Sequence, residues 1–179
     1  MAELGQPVQV ALDAHLSIDW YVGYLLDAKS GIPVVLRQHV KGKGIELWEI
    51  SKPAKPKDSP NWVVEITKPN DGSDLAVVVS ATHNAFTDAV RTINEDLPSV
   101  GTIIHSSLAL SGPQSISDGA HAAWLANELS ATLALKVAEI RPSRVHLFLA
   151  CPASLAFLLG QEAKCLGPTT VYEFEFGSV

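Results

Sequence analysis

Cysteine and long apolar runs are both scarce in this sequence of 179 residues. Its two cysteines, Cys151 and Cys165, cannot build the disulfide framework of a small secreted protein, so we expect reduced thiols in a cytoplasmic protein. No apolar stretch approaches the roughly 20 residues that a membrane-spanning helix needs. Residues 1–5 show neither the basic start nor the apolar core of a signal peptide.

Positive charge is also limited. The chain has 13 basic and 19 acidic residues, a net charge of −6, whereas a protein that binds duplex nucleic acid needs a dominant basic face. Basic residues nevertheless concentrate between Lys29 and Lys68, where eight lysines and arginines accompany four acids. This asymmetry suits an anionic ligand or partner, and a solvated basic loop would give the same pattern.

The sequence lacks the common catalytic motifs. It contains no GxSxG nucleophile elbow, no HExxH or CxxC motif and no glycine-rich dinucleotide fingerprint. Its six histidines are scattered along the chain. We therefore expect no catalytic residues, no metal and no cofactor, and a ligand-binding module rather than an enzyme.

Strand and helix patterns alternate, most clearly in the second part of the chain. Residues 75–80 (LAVVVS) and 145–150 (VHLFLA) are continuous apolar runs, typical of strands covered on both faces. Residues 117–140 form a long alanine-rich helical pattern between them. Further patterns predict helices at 13–28 and 152–164 and strands at 100–110 and 170–176. The alternation predicts an α/β fold with parallel-rich sheets flanked by helices. The turn at 69–74 (PNDGSD) predicts a boundary between two halves.

Three apolar strands each lead into a helix through a short turn of small or polar residues. Such turns lie at the carboxyl ends of strands, where open α/β sheets bind ligands, and helix N-termini there suit phosphate. Capping of the helices is an equally typical role for Asp13, Thr82 and Ser154. The turn residues are Asp13, Ala14 and His15 in the first, Ser80, Ala81, Thr82 and His83 in the second, and Cys151, Pro152 and Ser154 in the third.

Two segments carry a family resemblance. VALDAHLSIDWYVGYLLDAKSGI near the start and RVHLFLACPASLAFLLGQEAKCLGPTTVYEFEF near the end resemble the two ends of a SAVED domain. The resemblance spans nearly the whole chain, and its most specific part is the strand followed by the ACPAS turn. It implies one SAVED domain over residues 1–179, built from two fused CARF-like Rossmann halves at about 6–70 and 74–179.

The resemblance also implies a function. SAVED domains bind cyclic oligonucleotide second messengers in bacterial anti-phage signalling (CBASS), self-associate and activate a fused effector. We expect the ligand to be a cyclic dinucleotide such as cyclic GMP–AMP, with a cyclic trinucleotide left open, and the effector to be an upstream HNH endonuclease absent from this chain. The alternatives are a small Rossmann-like enzyme acting on a nucleotide or another anion, and a protein-interaction module that uses the basic loop.

We expect the ligand to occupy a cleft formed by the turns after Leu12, Val79, Leu110 and Ala150. Hydroxyl groups would meet phosphate and ribose, Arg37 would supply charge, and Gln38 would contact a base edge. Trp48 or Tyr172 could stack on a base, and packing beneath the basic loop is an equal alternative for Trp48. The predicted ligand-binding residues are His15, Arg37, Gln38, Trp48, Ser80, Ala81, Thr82, Ser111, Gly112, Pro113, Cys151, Pro152, Ser154 and Tyr172.

Overall fold

The computed structural model describes residues 7–50, 52–57, 59–112 and 114–174. These residues form eight strands, four α-helices and two short 3-10 helices at Ala28–Ser30 and Ala163–Leu166. In chain order the main elements are β1 (Val8–Ala11), α1 (Leu16–Leu25), β2 (Val34–Val40), β3 (Gly44–Glu49), β4 (Trp62–Thr67), β5 (Asp74–Ser80), α2 (Phe86–Asp96), β6 (Val100–Leu108), α3 (Gly119–Ile140), β7 (Val145–Ala150), α4 (Ala153–Gln161) and β8 (Thr169–Tyr172).

The strands form two separate sheets. The first has the order β1-β2-β3, in which β1 and β2 are parallel and β3 is antiparallel to β2. The second has the order β4-β6-β5-β7-β8 and is parallel except for its edge strand β4. The predicted α/β fold with parallel-rich sheets flanked by helices is confirmed.

Strand β4 does not follow the predicted division of the chain. It lies before the boundary expected at residues 69–74, yet it pairs with β6 of the five-stranded sheet, from Trp62 opposite Leu108 to Thr67 opposite Ile103. The chain therefore changes sheets earlier, in the proline-rich loop between β3 and β4. The halves at 6–70 and 74–179 stay a prediction, and they do not coincide with the two sheets.

Helices α3 and α4 pack between the two sheets. One buried cluster joins Leu36 and Trp48 of the three-stranded sheet to Leu125 of α3, Phe157 of α4 and Val77 of the five-stranded sheet. Every position of α4 from 154 to 160 is buried, and a helix that is apolar on all sides is covered on all sides. Helix α2 covers the opposite face of the five-stranded sheet.

Helices α1 and α4 cross in direct backbone contact. A Cβ atom added at Gly23 would overlap the carbonyl oxygen of Phe157, and one added at Gly160 would overlap that of Trp20. Glycine is therefore required at both positions for the helices to approach this closely.

Element ends differ from the predictions by a few residues. The helix predicted at 13–28 is confined to α1, and the strand predicted at 100–110 ends at Leu108. The helix predicted at 152–164 divides into α4 and a 3-10 turn. The strand predicted at 170–176 is β8, and residues 175–176 lie outside the described residues. Among the helices described, none is both long and apolar enough to span a membrane.

Candidate functional site

The carboxyl ends of β5, β6 and β7 meet at one edge of the five-stranded sheet. Ser80 at the end of β5 pairs with Ser107 of β6 on one side and with Ala150 of β7 on the other. The chain leaves β5 toward α2 on one face and leaves β7 toward α4 on the other face. Ligands of open α/β sheets bind where the connections diverge in this way.

The turns at this edge are joined around Ala81. The N–H groups of Ala81 and Thr82 donate to the carbonyl oxygen of Ala150 at 2.8 and 3.0 Å. The carbonyl oxygen of Ala81 accepts from the N–H of Gly112 at 3.3 Å and from the hydroxyl of Ser115 at 2.9 Å. These N–H groups therefore hold the loops together, and they are not available to phosphate as the sequence had predicted.

Ser80 belongs to a buried polar cluster. Its hydroxyl lies 3.0 Å from Nε2 of His105, and Nδ1 of His105 lies 3.6 Å from the carboxylate of Glu65. This is the order of groups in a serine hydrolase. The Ser80 hydroxyl is, however, 1% exposed and accepts the N–H of Ala85 at 3.1 Å, and burial lowers the pKa of His105. The cluster thus secures the turn after β5, and the Ser80 hydroxyl already has both of its partners within the protein.

Arg37 and Gln38 point to opposite faces of the three-stranded sheet. Gln38 lies on the side of buried Leu36, and its amide oxygen accepts the backbone N–H of Ser154 at 3.1 Å. Gln38 therefore caps α4, where the sequence had predicted a contact with a base edge. Arg37 is exposed on the open face, which does not favour the predicted ligand contact.

Trp48 lies in the core, with 4% of its surface exposed. Its indole N–H donates to the carboxylate of Glu46 at 3.2 Å. Because its ring is covered by protein, Trp48 cannot stack on a base. It has a packing role, as in the alternative that the sequence left open.

Tyr172 lies on the face of the five-stranded sheet that α2 covers. Its ring stacks on Phe148 with centroids 4.6 Å apart, and its hydroxyl lies 2.9 Å from Nδ1 of His146. The other ring nitrogen of His146 lies 3.3 Å from the carboxylate of Asp74. Tyr172 therefore joins β8 to β7, and its ring is already stacked within the protein.

The turn after β1 contacts the end of β8 in an acidic corner. The N–H of Ser17 donates to the Glu173 carboxylate at 2.6 Å, and Nδ1 of the exposed His15 lies 3.8 Å from the same carboxylate. Asp19 is 2% exposed, and burial, together with Glu173 and Asp13, raises its pKa to about 6. A phosphate would meet negative charge here, so the position of His15 does not favour its predicted role.

The remaining turn residues have structural positions. Burial raises the pKa of the Cys151 thiol, which makes it a poor nucleophile. Pro152 precedes the first turn of α4, and its carbonyl oxygen accepts from Leu155 and Ala156. The residues that directly precede α1, α2 and α4 are His15, Ala85 and Pro152, so Asp13, Thr82 and Ser154 are not the helix caps that the alternative interpretation proposed.

A cavity of about 570 Å³ opens between the two sheets, next to this edge. It is bounded by the turn between β2 and β3, the proline-rich loop, the loop after β6 and the first turn of α3. Among the predicted ligand-binding residues, Gly112 lines the cavity and Ser111 precedes Gly112 in the same loop. Pro113 lies outside the described residues. The lining residues are Lys41, Ser59, Pro60, Leu110, Gly112, Gln114, Ser115, Ser117 and His121.

The chemistry of this cavity is mixed. Lys41 supplies positive charge, and Ser59 and the Gln114 amide supply hydrogen-bonding groups, whereas the hydroxyls of Ser115 and Ser117 already donate to Ala81 and Asp118. Leu110 is 74% exposed and, with Pro60, supplies an apolar wall. Small-molecule sites have volumes of about 300–1,000 Å³ and combine apolar walls with a few polar groups in this way. In the described part of the chain, no cluster of histidine, cysteine, aspartate or glutamate side chains could hold a metal ion.

His121 is the most buried polar side chain of the cavity wall. Its Nδ1 accepts the backbone N–H of Ser117 at 3.2 Å, and its own backbone N–H donates to the carboxylate of Asp118 at 2.9 Å. Burial lowers the pKa of the imidazole. Nε2 has no hydrogen-bond partner among the described residues.

Sequence reasoning missed most of this cavity. It identified the loop after β6 through Ser111 to Pro113 but stopped before Gln114, Ser115 and Ser117. The signal was present as a run of small and polar residues (SGPQSIS) between an apolar strand and a helix capped by Asp118. Lys41 belonged to the basic cluster, but only the antiparallel pairing of β2 with β3 places its turn beside this loop.

Comparisons with known proteins agree with this architecture. Residues 2–179 match the family model described as "SAVED: SMODS-associated and fused to various effectors sensor domain". The chain is 36% identical over 171 residues to CD-NTase-associated protein 4 of Enterobacter hormaechei subsp. hoffmannii (strain UCI 50), an alignment that covers 94% of this chain and 33% of that protein. The chain thus spans about a third of the length of this curated relative.

Solved structures show the same fold. The Acinetobacter baumannii Cap4 SAVED/CARF-domain containing receptor with the cyclic trinucleotide 2'3'3'-cAAA matches with a TM-score of 0.76 and 15% identity, over 94% of this chain and 36% of that one. The same receptor with 3'3'3'-cAAA matches with a TM-score of 0.73 and 16% identity, over 93% and 36%. With a family model that matches residues 2–179, this chain belongs to the SAVED family of sensor domains.

Proposed function

We propose that this chain binds a cyclic oligonucleotide second messenger in the cavity between its two sheets. The observation that carries the proposal is the composition of the cavity wall, where Lys41, the polar Ser59 and Gln114, and the apolar side chain of Leu110 surround one space. A cyclic oligonucleotide presents phosphates, ribose hydroxyls and flat bases, and each finds a matching group in this wall. The acidic corner beside Asp19 and Glu173 lacks such complementarity for phosphate.

The ligand we propose is a cyclic dinucleotide such as cyclic GMP–AMP, and a cyclic triadenylate is the second candidate. The cavity of about 570 Å³ lies within the range of sites for small organic ligands. The Cap4 receptor structures with 2'3'3'-cAAA and 3'3'3'-cAAA support the larger ring, although at 15% and 16% identity they share only the fold with this chain.

We also propose that binding promotes self-association of a bacterial, cytoplasmic protein and activates a fused N-terminal effector, an HNH endonuclease in CBASS defence. The relative that is three times longer than this chain supports a fusion. An exposed apolar stripe on α1, formed by Ile18, Tyr21 and Leu25, supports a contact between copies. The ligand can drive assembly only through a higher affinity for the assembled state.

Isothermal titration calorimetry tests the binding. The panel contains 3'3'-cyclic GMP–AMP, 2'3'3'-cAAA and 3'3'3'-cAAA, with linear pApA as the control for non-specific phosphate binding. We expect micromolar or tighter binding of one ring, no binding of the linear control and no turnover of the bound ring by chromatography. Absence of binding to every ring would reject the sensor function. Conversion of a ring to products would instead support the small Rossmann-like enzyme.

A further inference from the structure

The first turn of α3 contains a buried imidazole, that of His121. His121 lines the cavity between the sheets and is 1% exposed. Its Nε2 atom has no hydrogen-bond partner among the described residues. Buried polar groups of native proteins are nearly always paired, so an unpaired one on a cavity wall needs an explanation.

The surroundings of His121 determine which nitrogen carries the proton. The backbone N–H of Ser117 points at Nδ1 from 3.2 Å, and a backbone N–H can only donate. Nδ1 is therefore the acceptor. In a neutral imidazole the other nitrogen must then carry the hydrogen. Burial lowers the pKa of this ring, which keeps it neutral near pH 7. Nε2 is thus an N–H donor in a fixed orientation.

The unpaired Nε2 donor costs free energy, and a bound ligand that accepts from it recovers that cost. A buried donor without a partner loses its hydration without gaining a hydrogen bond, and a ligand acceptor placed beside it restores that bond. Nε2 has less than 1 Å² of accessible surface, so a base that reaches it must displace part of the wall.

We propose that Nε2–H of His121 donates to a ring nitrogen of a purine base that enters this cavity, and that it thereby selects the base. This inference rests on the proposed function. The donor is neutral and deeply buried, and moving a phosphate to that depth is costly even though the charge of Lys55 acts on this ring. Lys41 is exposed at the cavity and is the better position for phosphate. The charges thus favour a base beside His121 and the phosphates beside Lys41.

The variant His121→Asn separates this role from the structural role of the residue. The Oδ1 atom of asparagine can accept the N–H of Ser117 in place of Nδ1, while the Nε2 donor is lost. We expect a variant that is folded by circular dichroism and binds the ring that wild-type protein prefers about tenfold or more weakly, the effect of one lost hydrogen bond at a buried site. His39→Asn, at an exposed position of β2, is the matched control and should bind as wild type does.

Base analogues complete the experiment as a double-mutant cycle. The probes are 2'3'3'-cAAA and its 1-deaza, 3-deaza and 7-deaza adenine forms, or the same forms of cyclic GMP–AMP if wild-type protein prefers that ring. We expect one deaza form to bind wild-type protein about tenfold more weakly and to bind His121→Asn no more weakly than the unmodified ring does. Equal losses for wild type and variant with every analogue would overturn the inference while leaving the sensor function intact.

Imidazole 15N NMR of the wild-type protein tests the same inference without a variant. We expect a protonated Nε2 and an unprotonated Nδ1 for His121 in the free protein, and a shift of the Nε2 proton when the ring is added. A proton on Nδ1, or an Nε2 signal that the bound ring leaves unchanged, would contradict it. Failure of every ring to bind wild-type protein would reject the proposed function and this inference together, a result that calorimetry alone identifies.

Discussion

The amide oxygen of Gln38 accepts the backbone N–H of Ser154 at 3.1 Å, although 116 positions separate the two residues. The bond joins β2 of the three-stranded sheet to the first turn of α4, which has no side-chain cap of its own. The three-stranded sheet is thus connected to the central helix by a polar contact as well as by apolar packing.

Gln38→Ala should lower the free energy of unfolding by about 1 kcal/mol, as the loss of a helix cap does. Urea denaturation followed by circular dichroism at pH 7.5 measures the change. His39→Ala is the control, because His39 is exposed on the neighbouring position of the same strand. Equal stability of the two variants would show that the Gln38 contact does not hold α4.

Gly160→Ala should lower the free energy of unfolding by about 2 kcal/mol or more, because the added methyl group overlaps the backbone of α1 at Trp20. Neither backbone can give way without separating the two helices. Gly112→Ala provides the control, since an added Cβ there meets open space. Thermal unfolding of both variants measures the effect, and a Gly160→Ala variant as stable as the control would contradict the close crossing.

Asp19→Asn should stabilise the protein near neutral pH, by about 1–3 kcal/mol. Its pKa is raised from 3.8 to about 6 by burial and by the neighbouring Glu173 and Asp13, so the folded state holds the proton more tightly than the unfolded state. The carboxylate therefore destabilises the fold fully above pH 6 and not at all below the unfolded pKa.

The pH dependence identifies the cause. The advantage of Asp19→Asn in urea denaturation should increase from pH 4 to pH 6 and stay constant from pH 6 to pH 8, because the asparagine cannot ionise. Asp88→Asn is the control at an exposed carboxyl on α2 and should show no such increase. An advantage of Asp19→Asn that is equal at all pH values would point to packing instead of charge.

Lys41→Ala should weaken binding of the preferred cyclic oligonucleotide by about tenfold, because it removes the cavity charge that we propose contacts the phosphates. The affinity of the variant should also depend less on salt concentration than that of wild type. Arg37→Ala is the matched cation control, on the open face of the three-stranded sheet. Calorimetry at 50 and 300 mM NaCl measures both, and a larger loss for Arg37→Ala would restore the site predicted from the sequence.

The fold could be predicted from the sequence to a large extent. Strands β5 and β7 are covered on both faces, and their uninterrupted apolar sequences predict this burial. The sheet that β4 joins could not be predicted, since an edge strand has the same local pattern in either sheet. The role of Trp48 could not be predicted for a similar reason. The local sequence of an aromatic residue beside a basic loop is the same whether its ring faces a ligand or α3.

The candidate site could be predicted only as a region. The turns at the ends of β5, β6 and β7 converge because these strands are neighbours in the sheet. The resemblance to SAVED domains predicted a ligand site in this region. Which groups remain available to a ligand depends on partners distant in sequence, as with Ala81 bound to Ala150 and Gln38 bound to Ser154. Such partners are fixed by tertiary packing, and no local motif reveals them.

The close approach of Gly23 to Phe157 and of Gly160 to Trp20 also has a mechanical consequence. The backbones of α1 and α4 are in direct contact where the helices cross, and no side chain lies between them. Rotation of a side chain therefore cannot compensate for a shift of one helix against the other, and we expect the two helices to move as a unit. Beyond the crossing, the Gln161 amide donates to the carbonyl oxygen of Leu26 at 2.6 Å and couples the two helix ends. Because Gln38 bonds β2 to α4, we expect a displacement of β2 to move α4 and α1 together, and with them the exposed apolar surface of α1.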